Sequence, residues 1–138
     1  VRVLPGVSAV QAVAARAGAP IGADFAVVSL SDRLKPWEVV ERRLRAIADA
    51  DLVLAIYNPA SRTRTKQIAT AHRVLLEHRK PETVVIVGRD IGREEESLTV
   101  TTLADLDPET IDMKCLLIVG AASTRVSRAG VWTPRYVR

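Results

Sequence analysis

Apolar residues along this chain come in two alternating patterns, short unbroken runs and longer stretches in which they recur every three or four positions. Phe25 to Leu30, Leu52 to Ile56, Thr83 to Val87 and Lys114 to Val119 have strand length, and their weak alternation is expected of strands covered on both faces. Helical patterns lie between them. Val7 to Ala17 is a small-residue stretch behind Ser8, a candidate cap. Trp37, Val40, Leu44 and Ile47 form one face after Pro36, whose missing N–H is harmless in a first turn. Ile68, Ala71, Leu75 and His78 form another behind Ser61 or Thr63 as cap. Val1 to Leu4 alternates apolar and basic residues like a strand and breaks at Pro5-Gly6. Ser97 to Thr102 is rich in β-formers but follows the preceding strand too closely for a crossover helix, so antiparallel pairing is expected. The pattern predicts an α/β domain over residues 1–125, with a mostly parallel, mixed five-stranded sheet flanked by helices, and a basic tail over 126–138 that is free to move.

The loops that leave the strands hold the candidate chemistry. In open α/β sheets ligands bind beyond the carboxyl ends of strands. Tyr57-Asn58-Pro59 stops one strand, and the loop after it carries Arg62, Arg64 and Lys66, a rim suited to an anionic organic molecule. A solvated helix start with a structural Asn-Pro turn is an equal reading of these residues. Gly88-Arg89-Asp90-Ile91-Gly92-Arg93 and Gly120-Ala121-Ala122-Ser123-Thr124 are two further strand-end loops, and all three are expected at one end of the sheet.

Composition narrows the class. A chain of 138 residues, 48% hydrophobic and 26% charged, is sized for one core. No apolar run approaches the roughly 20 residues that cross a bilayer, and VRVLPGVS does not resemble a secretory signal, so a cytoplasmic protein is expected. A chain that begins with Val rather than Met is expected to be a processed, cloned or truncated piece. Cys115 lies in an apolar run and reads as a buried thiol. Of the 20 cationic residues 16 are arginine, whose planar fork pairs carboxylates or phosphates, although genomic composition explains such a bias equally well. Glycine loops for dinucleotides or nucleoside triphosphates are absent, no metal-ligand set is visible, and His72 and His78 lie six apart on one helix. Aromatic content of 4% leaves little on which to stack bases, which argues against nucleic acid.

Five segments carry a resemblance: PGVSA at Pro5 to Ala9; SLSD at Ser29 to Asp32, followed by PWEVVERRL; IYNPASRTR at Ile56 to Arg64; VGRDIGREEE at Val87 to Glu96; and LTVTTLADLD at Leu98 to Asp107. Together they resemble the tetrapyrrole methylase family. Within it they are most similar to the carboxyl-terminal half of the cobalamin-biosynthesis enzymes that methylate ring carbon 17 of a corrinoid precursor. The resemblance implies the second α/β domain of that fold, with S-adenosylmethionine held between two domains and a polycarboxylate tetrapyrrole above it.

By motif it implies cofactor contacts at Ser8, Ala9, Tyr57, Asn58, Gly88, Arg89, Val119, Gly120 and Ala121. Arg62, Arg64 and Arg93 are assigned to substrate carboxylates on charge and loop position. Asp32 is the candidate catalytic residue, assisting the ring contraction that accompanies methylation; a turn-forming Asp is an equal reading. The family's amino-terminal domain, with its GxGPG-type turn, is missing, and TPRY lacks the expected glycine of a TPRGY-like ending. The isolated chain is therefore expected to be inactive and to self-associate, as a homodimer, through the face it leaves bare. Another porphyrinoid, an rRNA acceptor, or a non-catalytic oligomerising domain are the alternatives.

Overall fold

The computed structural model describes residues 1–136. Its chain order is α1 (Ala9–Ala17), β1 (Gly18–Ala19), β2 (Phe25–Ser29), α2 (Trp37–Asp49), β3 (Val53–Tyr57), α3 (Lys66–His78), β4 (Val84–Arg89), β5 (Ser97–Thr102), a single 3-10 turn at Pro108–Thr110, β6 (Cys115–Val119), β7 (Arg125–Ser127) and β8 (Gly130–Trp132).

Successive strand residues point to opposite faces, so an apolar run with no polar gaps can serve two cores at once. In β3, Leu54 and Ile56 join one core while Val53 and Ala55 join the other; in β6, Cys115, Leu117 and Val119 alternate with Leu116 and Ile118 in the same way. The first core is roofed by α2 and α3 through Val40, Leu44, Ile68, Ala71, Val74 and Leu75. Its counterpart is roofed by one helix, α1, through Val10, Val13, Ala14 and Ala17, with Ile21 and Val131 of β8 packed beside it. One nine-residue helix cannot cover five strands. Phe25 and Val27 on one flank of α1 and Leu98 and Val100 on the other stay exposed.

The five-stranded sheet runs β2-β3-β6-β4-β5. The sheet and its flanking helices match expectation, but the pairing is less parallel than the pattern suggested. β2–β3 is the parallel ladder, whereas β3–β6, β6–β4 and β4–β5 are antiparallel. β6 threads between two strands that point the same way and runs against both. Its first residue, Cys115, lies beside Arg89, and its last, Val119, beside Leu54 and Val85. The end where β2, β3 and β4 finish is called the upper end below, and the end where β6 finishes the lower.

Arg79, the residue after α3, locks the lower end. It is 8% exposed and donates to Gly120 O (2.6 Å), Ile47 O (3.2 Å) and Leu52 O, joining β6, α2 and β3. Burial pushes its guanidinium pKa down from the usual arginine range, and Asp51 opposes that shift. Next to it, Ala121 N donates to Thr124 Oγ1 (2.9 Å), Thr124 Oγ1 meets Thr133 Oγ1 (2.9 Å), and Thr133 Oγ1 donates to Pro20 O (2.6 Å). The proline carbonyl can only accept and the Ala121 amide can only donate, so the hydroxyl of Thr124 must donate to that of Thr133.

Three local expectations change. Val1 to Leu4 is not a strand: it pairs with nothing, and Val1, Val3 and Leu4 are exposed. The α3 helix begins at Lys66, because Ser61 and Arg64 close a turn through Ser61 N to Arg64 O (2.9 Å) and Arg64 N to Ser61 O (3.2 Å). On that helix Val74 is buried and His78 is exposed. The stretch read as a mobile basic tail contains β7 and β8, a hairpin that packs back on β1, with Gly18 opposite Val131 and Ala19 opposite Trp132. Residues 137–138 of that stretch lie outside the described residues.

Candidate functional site

The upper end gathers the first three motifs. Ser8 caps α1: its hydroxyl accepts from Gln11 N, and its own N–H donates to Gln11 Oε1 at 3.1 Å. Tyr57, the last residue of β3, accepts from Val10 N through its Oη at 3.2 Å and so ties the strand tip to the first turn of the helix. Asn58 follows with φ 48°, a left-handed backbone that asparagine tolerates better than most residues, and its Nδ2 donates to Ser29 Oγ at 3.0 Å. Gly88 in β4 has no room for a side chain. A Cβ there would stand 2.5 Å from Val13 Cγ2, so glycine is what lets α1 settle onto the sheet.

These elements enclose a cavity of about 300 Å³. Ala9, Ala12, Tyr57, Asn58 and Gly88 form one side, and Asp90, Arg93, Met113 and Lys114 the other. Asp90, with φ 49°, faces Lys114 Nζ at 3.6 Å and Arg93 Nη1 at 3.8 Å. The loop that carries Asp90 is strapped to α1 by Glu96, which accepts from Arg16 Nε (2.8 Å) and Gly92 N (2.7 Å). Its carboxyl is held below the ordinary range by Arg16 first and the Gly92 amide second. Cys115, a buried thiol as expected, has its pKa pushed up by that burial.

Beside the cavity, on the β2 side, lies a cationic shelf. Asp32, Arg62 and Arg64 belong to it and do not line the cavity. Asp32 Oδ2 accepts from Gln67 Nε2 at 3.1 Å, and Arg64 Nη1 donates to Leu30 O at 3.3 Å. Arg62 is exposed. Neighbouring strands lie about 4.8 Å apart, so the tips of β2 and β4, three strand spacings apart, are separated by roughly 14 Å. That is the width of a large flat molecule.

Four expected site residues are placed elsewhere or otherwise engaged. Val119, Gly120 and Ala121 lie at the lower end, four residue steps or about 13 Å along the sheet from Gly88, because β6 runs against β3 and β4. Ala121 borders a different, larger cavity of about 870 Å³, between Asp51, Arg125 and Trp132. Some of the polar groups there are occupied by the protein itself: Arg125 donates to Ala122 O (2.9 Å) and Thr124 O (3.1 Å), and Asp51 accepts from Ala122 N (2.9 Å). The side chains of Asp24, Ser123 and Arg135 in the same lining make no hydrogen bond or ion pair among the described residues. Arg89 points away from the upper cavity, donating to Asp112 Oδ2 (2.7 Å) and Thr110 O (3.0 Å), a pairing that raises its pKa. Met113 and Lys114, which the sequence reading does not single out, line the upper cavity, and Met113 is 65% exposed.

Comparison with known proteins follows this geometry. The chain is 54% identical, over 98% of its length, to the cobalamin biosynthesis protein CobIJ of Mycobacterium tuberculosis, of which it covers 28%. It is 46% identical, over 97% of its length, to the precorrin-3B C(17)-methyltransferase of a Sinorhizobium species, of which it covers 55%. The crystal structure of the methyltransferase CobJ superposes with a TM-score of 0.93 at 41% identity, over 96% of this chain and 56% of that one. The chain thus spans between about a quarter and about half the length of these relatives. Residues 1–107, which hold the capped helix, the Tyr57 tip and the Gly88 strand, match the tetrapyrrole (corrin/porphyrin) methylases, and the chain belongs to that family.

Proposed function

We propose that this chain forms one wall of an S-adenosylmethionine site, and that its protein methylates ring carbon 17 of a corrinoid precursor, precorrin-3B, with ring contraction, in cobalamin biosynthesis. The observation that carries the reading is the bond between Val10 N and Tyr57 Oη, which brings the PGVSA and IYNP motifs together around the upper cavity. About 300 Å³ is at the small end of ligand sites, room for part of such a donor against a wall of alanines, Tyr57 and Gly88. When bound, the donor supplies a methyl group made electrophilic by a sulfonium.

The chain's own residues then align and balance charge. Ser8, Ala9, Tyr57 and Asn58 hold the donor side, and Met113 and Lys114 the floor. Arg62, Arg64 and Arg93 meet the acceptor's carboxylates. Methyl transfer to carbon needs alignment more than acid or nucleophile, which suits a site with few such groups. Asp32 serves as the base for the proton the acceptor sheds. The opposite wall comes from sequence beyond this chain, consistent with relatives up to about twice or more its length.

The bare flanks of α1 at Phe25, Val27, Leu98 and Val100 support self-association as a homodimer. Sedimentation checks this, since a monodisperse monomer would oppose it. No helix among the described residues is long and apolar enough to cross a membrane; we place the protein in the cytoplasm.

Titration calorimetry tests the half-site. Weak binding of S-adenosylmethionine is expected, with Kd on the order of 0.1–1 mM, lost in Tyr57→Ala. Tight stoichiometric binding by the chain alone would refute it. A change in absorbance on mixing with the corrinoid precursor, rather than a steep salt dependence with RNA, separates the acceptor classes.

A further inference from the structure

The side chain of Gln67, in the first turn of α3, is hydrogen-bonded on one side only. Its Nε2 donates to Asp32 Oδ2 at 3.1 Å, while its Oε1 is buried and finds no donor among the described residues. A buried amide oxygen without a donor is destabilising, so the arrangement calls for a reason. An ionised carboxylate can only accept, which forces the NH2 toward Asp32 and leaves the oxygen orphaned.

We infer that Gln67 is a positioning residue which fixes the orientation of the Asp32 carboxylate at the tip of β2. This rests on the proposed role of Asp32. The bond balance requires such a base: a carbon–carbon bond forms at the acceptor, the donor's carbon–sulfur bond breaks with its electron pair going to sulfur, and the acceptor regains its charge by releasing one proton to the Asp32 carboxylate. The surroundings keep Asp32 in place for this task. Lys35 Nζ donates to Ser31 O (3.2 Å) and Arg64 Nη1 to Leu30 O (3.3 Å), the carbonyls of the two residues before Asp32. Ser29 Oγ accepts from both Ser31 N (3.2 Å) and Asn58 Nδ2 (3.0 Å), so the loop hangs from the β3 tip as well. Charged neighbours on this shelf are Arg33 and Lys35 from the Asp32 loop, Arg62 and Arg64 from the loop after β3, and Lys66 from α3.

The test is the side-chain conformation of Asp32, read from NMR scalar couplings on the 138-residue chain at neutral pH. A single χ1 rotamer is expected in the unsubstituted chain and rotamer averaging in Gln67→Leu. Averaged couplings already in the unsubstituted chain, or couplings unchanged by Gln67→Leu, would overturn the inference. In the complete methyltransferase, Gln67→Leu is expected to lower kcat about 10- to 100-fold with KM for S-adenosylmethionine unchanged; an unchanged kcat would also overturn it. Asp32→Asn is a separate arm. Full turnover in that variant, alongside rotamer averaging of Asp32 in Gln67→Leu, would remove the base role of Asp32 while leaving its positioning by Gln67 intact.

Discussion

At the lower end of the sheet Arg79, Thr124 and Thr133 turn their donors onto buried oxygens, whereas at the upper end Arg33, Arg62 and Lys66 make no hydrogen bond or ion pair among the described residues. Both ends are built from the same strands, so the contrast is not one of fold. It is one of where cations are engaged. Each end keeps one buried polar atom without a partner among the described residues, Arg79 Nε below and Gln67 Oε1 above, but the lower end turns its guanidinium and hydroxyls inward while the upper end leaves the cations of Arg33, Arg62 and Lys66 exposed. Residues at the first should govern stability and residues at the second should govern binding.

The largest effect is expected from Arg79→Met. It removes the Arg79 donors from the carbonyls of Leu52 and Gly120 and from that of Ile47, which keeps Leu52 N (3.3 Å). A loss of about 3–5 kcal/mol is expected in urea denaturation. A loss below about 1 kcal/mol would erase the distinction between the ends. Next is Gly88→Val, whose side chain would enter the space of Val13. Overpacking of this kind costs about 1–3 kcal/mol, and the shift of α1 should abolish S-adenosylmethionine binding in calorimetry. Lower-end amides such as Gly120 N, bonded to Val84 O, should keep their exchange protection.

The smallest effect concerns acid. Glu77, Glu96 and Asp112 have their pKa values lowered chiefly by hydrogen bonds from Arg45, Arg16 and Arg89. A depressed carboxyl contributes stability that is present above the unfolded pKa and is lost as pH falls through the folded one. Acidification below about pH 4 should therefore release the Glu96 strap, and Gly92 N–H should gain in exchange relative to lower-end amides. Glu96→Gln should show the released behaviour already at neutral pH.

Much of the fold was legible because two signals are local. Unbroken apolar runs mark strands buried on both faces, and recurrence at three and four marks helix faces, so Val53–Tyr57, Trp37–Asp49 and Cys115–Val119 could be read directly. Strand direction is not local. A short connection betrayed β5 as antiparallel, but the stretch from Leu103 to Lys114 before β6 is long enough to return the chain either way. The reversed β6 placed Val119, Gly120 and Ala121 at the lower end, away from Tyr57 and Gly88, and placed Met113 and Lys114 at the upper one. The site's other half was readable where a motif coincided with a strand tip, as at Tyr57 and Gly88. It was not readable where a side chain had a choice of partners: nothing in the order of residues says that Arg89 turns to Asp112, or that Gln67 reaches Asp32.

The hydroxyl relay from Thr124 through Thr133 to Pro20 joins residues 113 positions apart. Its final link, together with the pairing of β1 on β8, means that a two-residue strand waits for a hairpin made more than 100 residues later. While the ribosome is still extending the chain, α1 can dock, but the strand behind it has no ladder to join. Cotranslational folding of this domain should accordingly finish in one late step, when the hairpin clears the exit tunnel.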